Sequence, residues 1–161
     1  MVYSVALRLT GNPSDAQDIA QATFMRAYQH FDTLRDNPRA GGWIKTVARN
    51  LSLNLLTRYR NRWRFFSEFQ NEDEEQTEIA ESLGAIELPT STSEEHERKE
   101  MLNQALHKLP DAQRVPLVLF HFEEMSYQEI ATHLGISLSK VKIDMMRGHE
   151  ALRKIIRPEE T

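Results

Sequence analysis

The chain of 161 residues is 40% hydrophobic, enough to build the core of one ordinary domain or of two small helical ones. With no cysteine, disulfides, thiolate zinc sites and cysteine nucleophiles are excluded; no run of about 18 apolar residues suggests a membrane span, and the opening MVYSVALRLT lacks the basic start and cleavage site of a secretory signal. A soluble, cytoplasmic protein without membrane insertion is expected. The net charge of −4 averages unlike parts: +6 over residues 1–64, −10 over 65–100 and zero over 101–161. Because fields are screened beyond about 10 Å, these parts act separately, as a basic module, an acidic linker and a neutral module.

Residues 2–10 read as a helix ended by Gly11 and Asn12, both tolerant of the left-handed conformation at a helix C-terminus. Ser14 with Gln17 predicts the capping box of a second helix. Ala16, Ile19, Ala20, Phe24, Ala27, Tyr28 and Phe31 recur along it at three- and four-residue spacing, as one apolar face would. Asn37-Pro38 and Gly41-Gly42 predict a loop from Leu34 to Gly42. Trp43, Ile44, Val47, Ala48, Leu51, Leu55 and Leu56 then trace a third helix. The first module, residues 1–66, is thus expected to hold three helices.

Between residues 67 and 93 periodicity fades and Glu, Asp, Gln, Ser and Thr accumulate, a composition too polar to offset ordering entropy, so a flexible acidic linker is expected. The second module spans 94–161. Thr92 with Glu95 predicts a capping box, and Met101, Leu102, Ala105, Leu106 and Leu109 carry a helix to Pro110. Asp111 is placed to cap the next helix, whose apolar positions are Val115, Val118, Leu119 and Phe122 and in which Pro116 removes one backbone bond.

Ser126 and Glu129 form a further capping box; Ile130, Ala131 and Leu134 continue the helix, Gly135 allows a sharp turn, and Ser137 caps a longer helix. This is the pattern of a helix-turn-helix, in which small Ala131 lets the helices cross closely while Ile130, Leu134, Ile136, Val141 and Met145 fill the angle between them. Ser139, Lys140, Lys142, Ile143, Met146 and Arg147 are left on or near the outer face, where a major groove would find base-reading side chains with cations for phosphates. The same hairpin also suits contact with protein alone. In the first module Lys45, Arg49, Arg58, Arg60, Arg62 and Arg64 are interleaved with Trp43, Tyr59, Trp63, Phe65 and Phe66, a mixture that suits unpaired bases or, equally, a solvated face whose rings cap the core.

Three segments in order, ALRLTGNPSDAQDIAQATFMRAY, WIKTVARNLSLNLLTRYR and LPDAQRVPLVLFHFEEMSYQEIATHLGIS, resemble regions two and four of the extracytoplasmic-function sigma factors of bacteria. The resemblance implies an all-α protein of two small domains. Region two would bind the clamp of core RNA polymerase through Asp15, Asp18, Gln21 and Phe24, and the −10 promoter element through Trp43, Lys45, Arg49, Asn50, Arg58 and Arg60, with the loop from Arg35 to Gly42 holding a flipped base. Region four would bind the −35 element through Ser137, Ser139, Lys140, Lys142 and Arg147. An anti-sigma factor is implied as a further partner, and the linker's carboxylates would occupy polymerase channels otherwise filled by nucleic acid. Measured against the family, the chain begins inside the first conserved helix. Ile143 and Asp144 stand where Ser and Arg are common, and a carboxylate at 144 is expected to repel phosphates.

An enzyme is the poorest fit. His30, His96, His107, His121, His133 and His149 show no pair at helical ligand spacing, no phosphate-binding glycine loop is present, and no cofactor is expected. An autonomous helix-turn-helix regulator and a protein-interaction module with degraded DNA binding are the alternatives.

Overall fold

The computed structural model describes residues 1–67 and 94–158, with side chains for all of these except 59–67 and 94. Nearly all of the linker expected at 67–93, and Thr92 of one expected capping box, lie outside the described residues. Within them the chain is all-helical and divides into two compact units.

The first unit holds α1 (Val2–Thr10), α2 (Pro13–Gln29), the single turn α3 (Phe31–Leu34) and α4 (Ala40–Ser67). Gly11 ends α1 with φ 65°, and its N–H donates to the Leu7 carbonyl at 2.8 Å. The start of α2 differs from expectation. Asn12, not Ser14, is the N-cap; its Oδ1 accepts from the Ser14 and Asp15 N–H groups at 2.9 and 3.3 Å. Pro13 takes the first helical position, where a missing N–H costs nothing.

Helices α1, α2 and α4 pack on one another around Val5, Ala6, Leu9, Ala16, Ile19, Ala48, Leu53 and Leu56. Small Ala6 and Ala16 let the helices approach, and Leu7, Leu51 and Leu55 close the edge of this core. The inward face of α4 is rotated from the predicted stripe, because Ser52 is fully buried and Trp43, Ile44 and Val47 are only half so. Burial is tolerable for Ser52 because its Oγ donates to the Ala48 carbonyl at 2.8 Å. The loop is also shorter than predicted: it runs over Arg35–Arg39, and Gly41 and Gly42 belong to the first turn of α4.

The second unit holds α5 (Glu94–His107), α6 (Asp111–His121), α7 (Tyr127–Leu134) and α8 (Leu138–Ile156). Pro110, not Asp111, occupies the N-cap of α6, and Asp111 instead pairs with the buried Arg114, whose Nη1 also donates to the Leu109 carbonyl at 3.1 Å. Pro116 lies buried inside α6. Helices α5, α6 and α7 all pack on α8, which makes α8 the spine of the unit. It packs closely on α6 at Gly148, where a Cβ would lie 2.8 Å from Leu117 Cδ1 and 3.2 Å from the Gln113 carbonyl.

Candidate polymerase and DNA surfaces

On α2 the inward positions are Ala16, Ile19 and Thr23, the last satisfied by donating from Oγ1 to the Ile19 carbonyl at 2.7 Å. Of the predicted stripe, Ala20 and Ala27 are half-buried, while its aromatic residues, and Met25 beside them, point to solvent. Phe24 is 57% exposed, Met25 60%, Tyr28 82% and Phe31 55%, so they are not core. Gln21, Phe24, Met25, Tyr28 and Gln29 line a shallow groove whose walls are mostly apolar. Aromatic side chains held out of a core that is filled without them mark a contact surface. Asp18 and Gln21 are exposed on the same helix and Asp15 is half-buried.

The six residues expected at the −10 element are not equivalent. Asn50 and Arg58 are exposed, Trp43 and Lys45 half-buried, and the Arg60 side chain lies outside the described residues. Trp43 and His30 pack in an edge-to-face arrangement, with ring centroids 5.4 Å apart, so the indole is partly engaged within the unit. Arg49 is half-buried and shares the i, i+3, i+4, i+7 spacing that leads to Ser52, Leu53 and Leu56, and so borders the inward face of α4; its Nε is buried without a hydrogen-bond partner. Adjacent helical residues point about 100° apart, which is why Arg49 and Asn50 separate. In the preceding loop, Arg35 pairs with Asp36 at 3.1 Å, and the Asn37 side chain accepts from the Arg39 N–H at 2.9 Å.

The helix-turn-helix forms as predicted. The Ser126 Oγ accepts from the Glu129 N–H at 3.1 Å while the Glu129 carboxylate accepts from the Ser126 N–H at 2.7 Å, so both halves of the capping box are made. Gly135 adopts φ 65°, its N–H and that of Ile136 closing back onto the Ala131 carbonyl. Ser137 caps α8 by accepting from the Lys140 N–H at 3.1 Å. Ile130, Ala131, Val141 and Met145 are buried at the crossing, with Leu134 and Ile136 half-buried beside them.

On α8 the buried positions are Val141, Asp144, Met145, Gly148 and Leu152, while Leu138, Ser139, Lys142, Met146 and Arg147 are exposed. Asp144 therefore does not face phosphates, contrary to expectation. It is 3% exposed, and both its carboxylate oxygens accept from the Lys140 ammonium at 3.2 Å. Lys140 is correspondingly turned along its own helix, leaving Lys142 and Arg147 as the exposed cations of the first half of α8, with Arg153 and Lys154 exposed nearer its end. The local null charge of this module thus includes one internally neutralised pair, which no charge count distinguishes from a surface one.

One pairing was invisible in the sequence because its members lie 28 residues apart. His121, at the end of α6, and His149, on α8, bring their Nε2 atoms to 3.0 Å. His149 donates from Nδ1 to the Met145 carbonyl at 2.8 Å, so in its neutral form Nε2 is the acceptor and His121 donates. Burial pushes the pKa of both imidazoles down; at His121 the neighbouring His149 adds to this, and at His149 the carbonyl bond opposes it while Arg153 adds to it. The pair lies at the surface where α6 meets α8, with His121 exposed and His149 half-buried, and links the two helices.

Fold and surfaces together define a DNA-binding protein of two helical units, one with an exposed aromatic stripe and one with a helix-turn-helix. Family models match both parts: sigma-70 region 2 over residues 1–64 and sigma-70 region 4 over residues 99–152. The ECF RNA polymerase sigma factor SigW of Bacillus subtilis is 31% identical over 156 residues, covering 97% of this chain and 83% of that protein. RNA polymerase sigma-H factor of Pseudomonas aeruginosa is 29% identical, covering 98% and 81%. The sigma factor RpoE of Bartonella quintana, solved in complex with the anti-sigma factor NepR, shares the fold with a TM-score of 0.52 at 21% identity, covering 98% of this chain and 91% of that one. The chain belongs to the extracytoplasmic-function family of RNA polymerase sigma factors. It is a transcription initiation factor and not an enzyme. No helix among the described residues is long and apolar enough to cross a membrane.

Proposed function

We propose that the two units divide promoter recognition between them. The first binds the clamp of core RNA polymerase through the exposed stripe of α2, centred on Asp18, Gln21, Phe24 and Tyr28, and holds unpaired −10 DNA against the loop at Arg35–Arg39 and the outer side of α4, with Asn50 as a base-reading residue. The second lays α8 in the major groove of the −35 element, where Ser139, Lys142 and Arg147 reach DNA. The protein acts in the cytoplasm, and an anti-sigma factor restrains it by covering these surfaces.

The observation that carries this reading is the aromatic stripe of α2. Phe24, Met25 and Tyr28 stay in water although the core beneath them is complete, an arrangement that suits an obligate partner. Cations are few on α8, so phosphate contacts alone provide little affinity. Tethering to polymerase raises the effective concentration of the second unit at its element and makes weak contacts sufficient.

Reconstitution with core polymerase and a randomised promoter library tests the division. Specific transcription is expected only when both proteins are present. Phe24→Ala with Tyr28→Ala should weaken polymerase binding, whereas Lys142→Ala should spare it and reduce use of the upstream element. Asn50→Ala should slow promoter opening, with loss of about 1–3 kcal/mol of base discrimination. Tight, sequence-specific binding to duplex DNA without polymerase would instead establish an autonomous regulator.

A further inference from the structure

The outward face of α8 carries something that phosphate binding does not need. Leu138 is 37% exposed and Met146 42%. With Lys142 they stand at i, i+4 and i+8, on one stripe along the helix. Nothing in the second unit's core requires them, since Val141, Met145 and Leu152 fill the inward side of the same helix. Ser139 and Arg147, both exposed, flank the stripe.

Exposed apolar side chains alone would fit any apolar partner. Here Lys142 lies between them, and neither Asp nor Glu is exposed on α8 before Glu150, because the only earlier carboxylate, Asp144, is buried against Lys140. From Leu138 to Met146 the stripe is therefore apolar and cationic, and Glu150, exposed one turn further on, is paired with Lys154 at 2.9 Å; this suits a polyanion that also offers small apolar groups. The major groove of DNA is such a surface: phosphates line its edges, and the C5-methyl of thymine is the one apolar group on its floor.

We propose that Leu138 and Met146 read thymine methyl groups in the upstream promoter element. The inference rests on the placement of α8 in the major groove. Leu138 opens the helix, and Met146 lies two turns further on, about 12 Å along the axis, so the two side chains reach different base steps. Lys142, between them, contacts phosphate or a purine edge and contributes no methyl preference. Methionine's unbranched, polarisable side chain adapts to more than one position of a methyl group, so Met146 gives the broader preference and Leu138 the sharper one.

The test uses holoenzyme and a promoter obtained from the randomised library, with each thymine of the upstream element replaced in turn by uracil, which pairs identically but lacks the methyl group. Burial of one such group corresponds to about fourfold in an equilibrium constant. Wild-type holoenzyme should lose about fourfold in promoter-complex stability at two or more thymines. Leu138→Ala should abolish the penalty at one of them and Met146→Ala at another; Lys142→Ala should leave both penalties intact while reducing binding to every template. Each penalty is a ratio between two templates for the same variant, so a general loss of folding or polymerase binding cancels. A selected upstream element without thymine would overturn the inference, as would uracil templates that bind like thymine ones while scrambling the element still abolishes binding. If scrambling also has no effect, the placement of α8 in the groove fails with it.

Discussion

Replacing Asp144 with arginine separates two opposite accounts of this position. Were residue 144 at the DNA, the substitution would add a phosphate contact and strengthen binding to many sequences. The structure places the carboxylate 3% exposed, with both oxygens 3.2 Å from the Lys140 ammonium. Arginine there loses that pair, sets a second cation beside Lys140 and needs room in a layer already occupied by Val141, Met145 and Gly148. Removing one partner of a buried ion pair costs about 3–5 kcal/mol. The Lys140 side chain keeps 39% of its surface, so its ammonium can turn to water, and the lower end, about 3 kcal/mol, applies. A domain of this size shifts its melting midpoint by about 4–8 °C per kcal/mol. Calorimetry of the full-length protein should therefore show the second unit melting at least about 10 °C lower in Asp144→Arg. Combining Asp144→Leu with Lys140→Met removes both charges together and should recover most of that loss, because an apolar replacement of a buried pair is often neutral. A wild-type melting profile for Asp144→Arg, accompanied by tighter binding to unrelated DNA duplexes, would refute the buried placement.

Other expectations follow from the same geometry. Gly148→Val puts a branched side chain where even a Cβ lies 2.8 Å from Leu117 Cδ1; overpacking of this kind costs about 1–3 kcal/mol, measurable by urea denaturation, and a neutral result would show that α6 and α8 are not in close contact. Ser126→Ala removes one half of the capping box and should cost about 0.5–2 kcal/mol, with promoter use falling only as far as stability does. The histidine pair makes the second unit sensitive to acid. Since burial lowers both folded-state pKa values, the unfolded chain binds more protons, and the pair's contribution to stability is present above an unfolded pKa of about 6.5 and declines as pH falls through it. A melting midpoint followed between about pH 7.5 and 5 should fall more steeply in the wild type than in a His121→Gln, His149→Gln double variant; parallel slopes would remove the pair as the cause.

Local chemistry made much of this protein legible from its sequence. The all-helical class, the C-terminus of α1 at Gly11, the reciprocal Ser126–Glu129 cap, the turn at Gly135 and the start of α8 at Ser137 all depend on groups within a few residues of one another, and all form as read. Such features follow from backbone conformation and neighbouring donors, which a short stretch of sequence specifies. Where two local signals competed, the structure chose: Asn12 with Pro13 began α2 ahead of Ser14, since a proline at the first helical position leaves no N–H to satisfy.

What periodicity could not decide was which side of an apolar stripe faces inward. Phe24, Tyr28 and Phe31 share helical spacing with Ala16 and Ile19, yet the approach of α1 and α4 covers only the latter two. By the same cause Asp144, polar by type, turned out buried beside Lys140, and Leu138, apolar by type, turned out exposed. The His121–His149 contact and the close approach at Gly148 depend on α6 meeting α8 from a distance in sequence, so no local pattern encodes them. Residue types and their spacing determined the principal helices, several of their ends and the family to which the chain belongs. Only the packing of one helix against another determined which side chains remain in water for polymerase and DNA, because burial depends on every neighbour that approaches a helix and not on that helix alone.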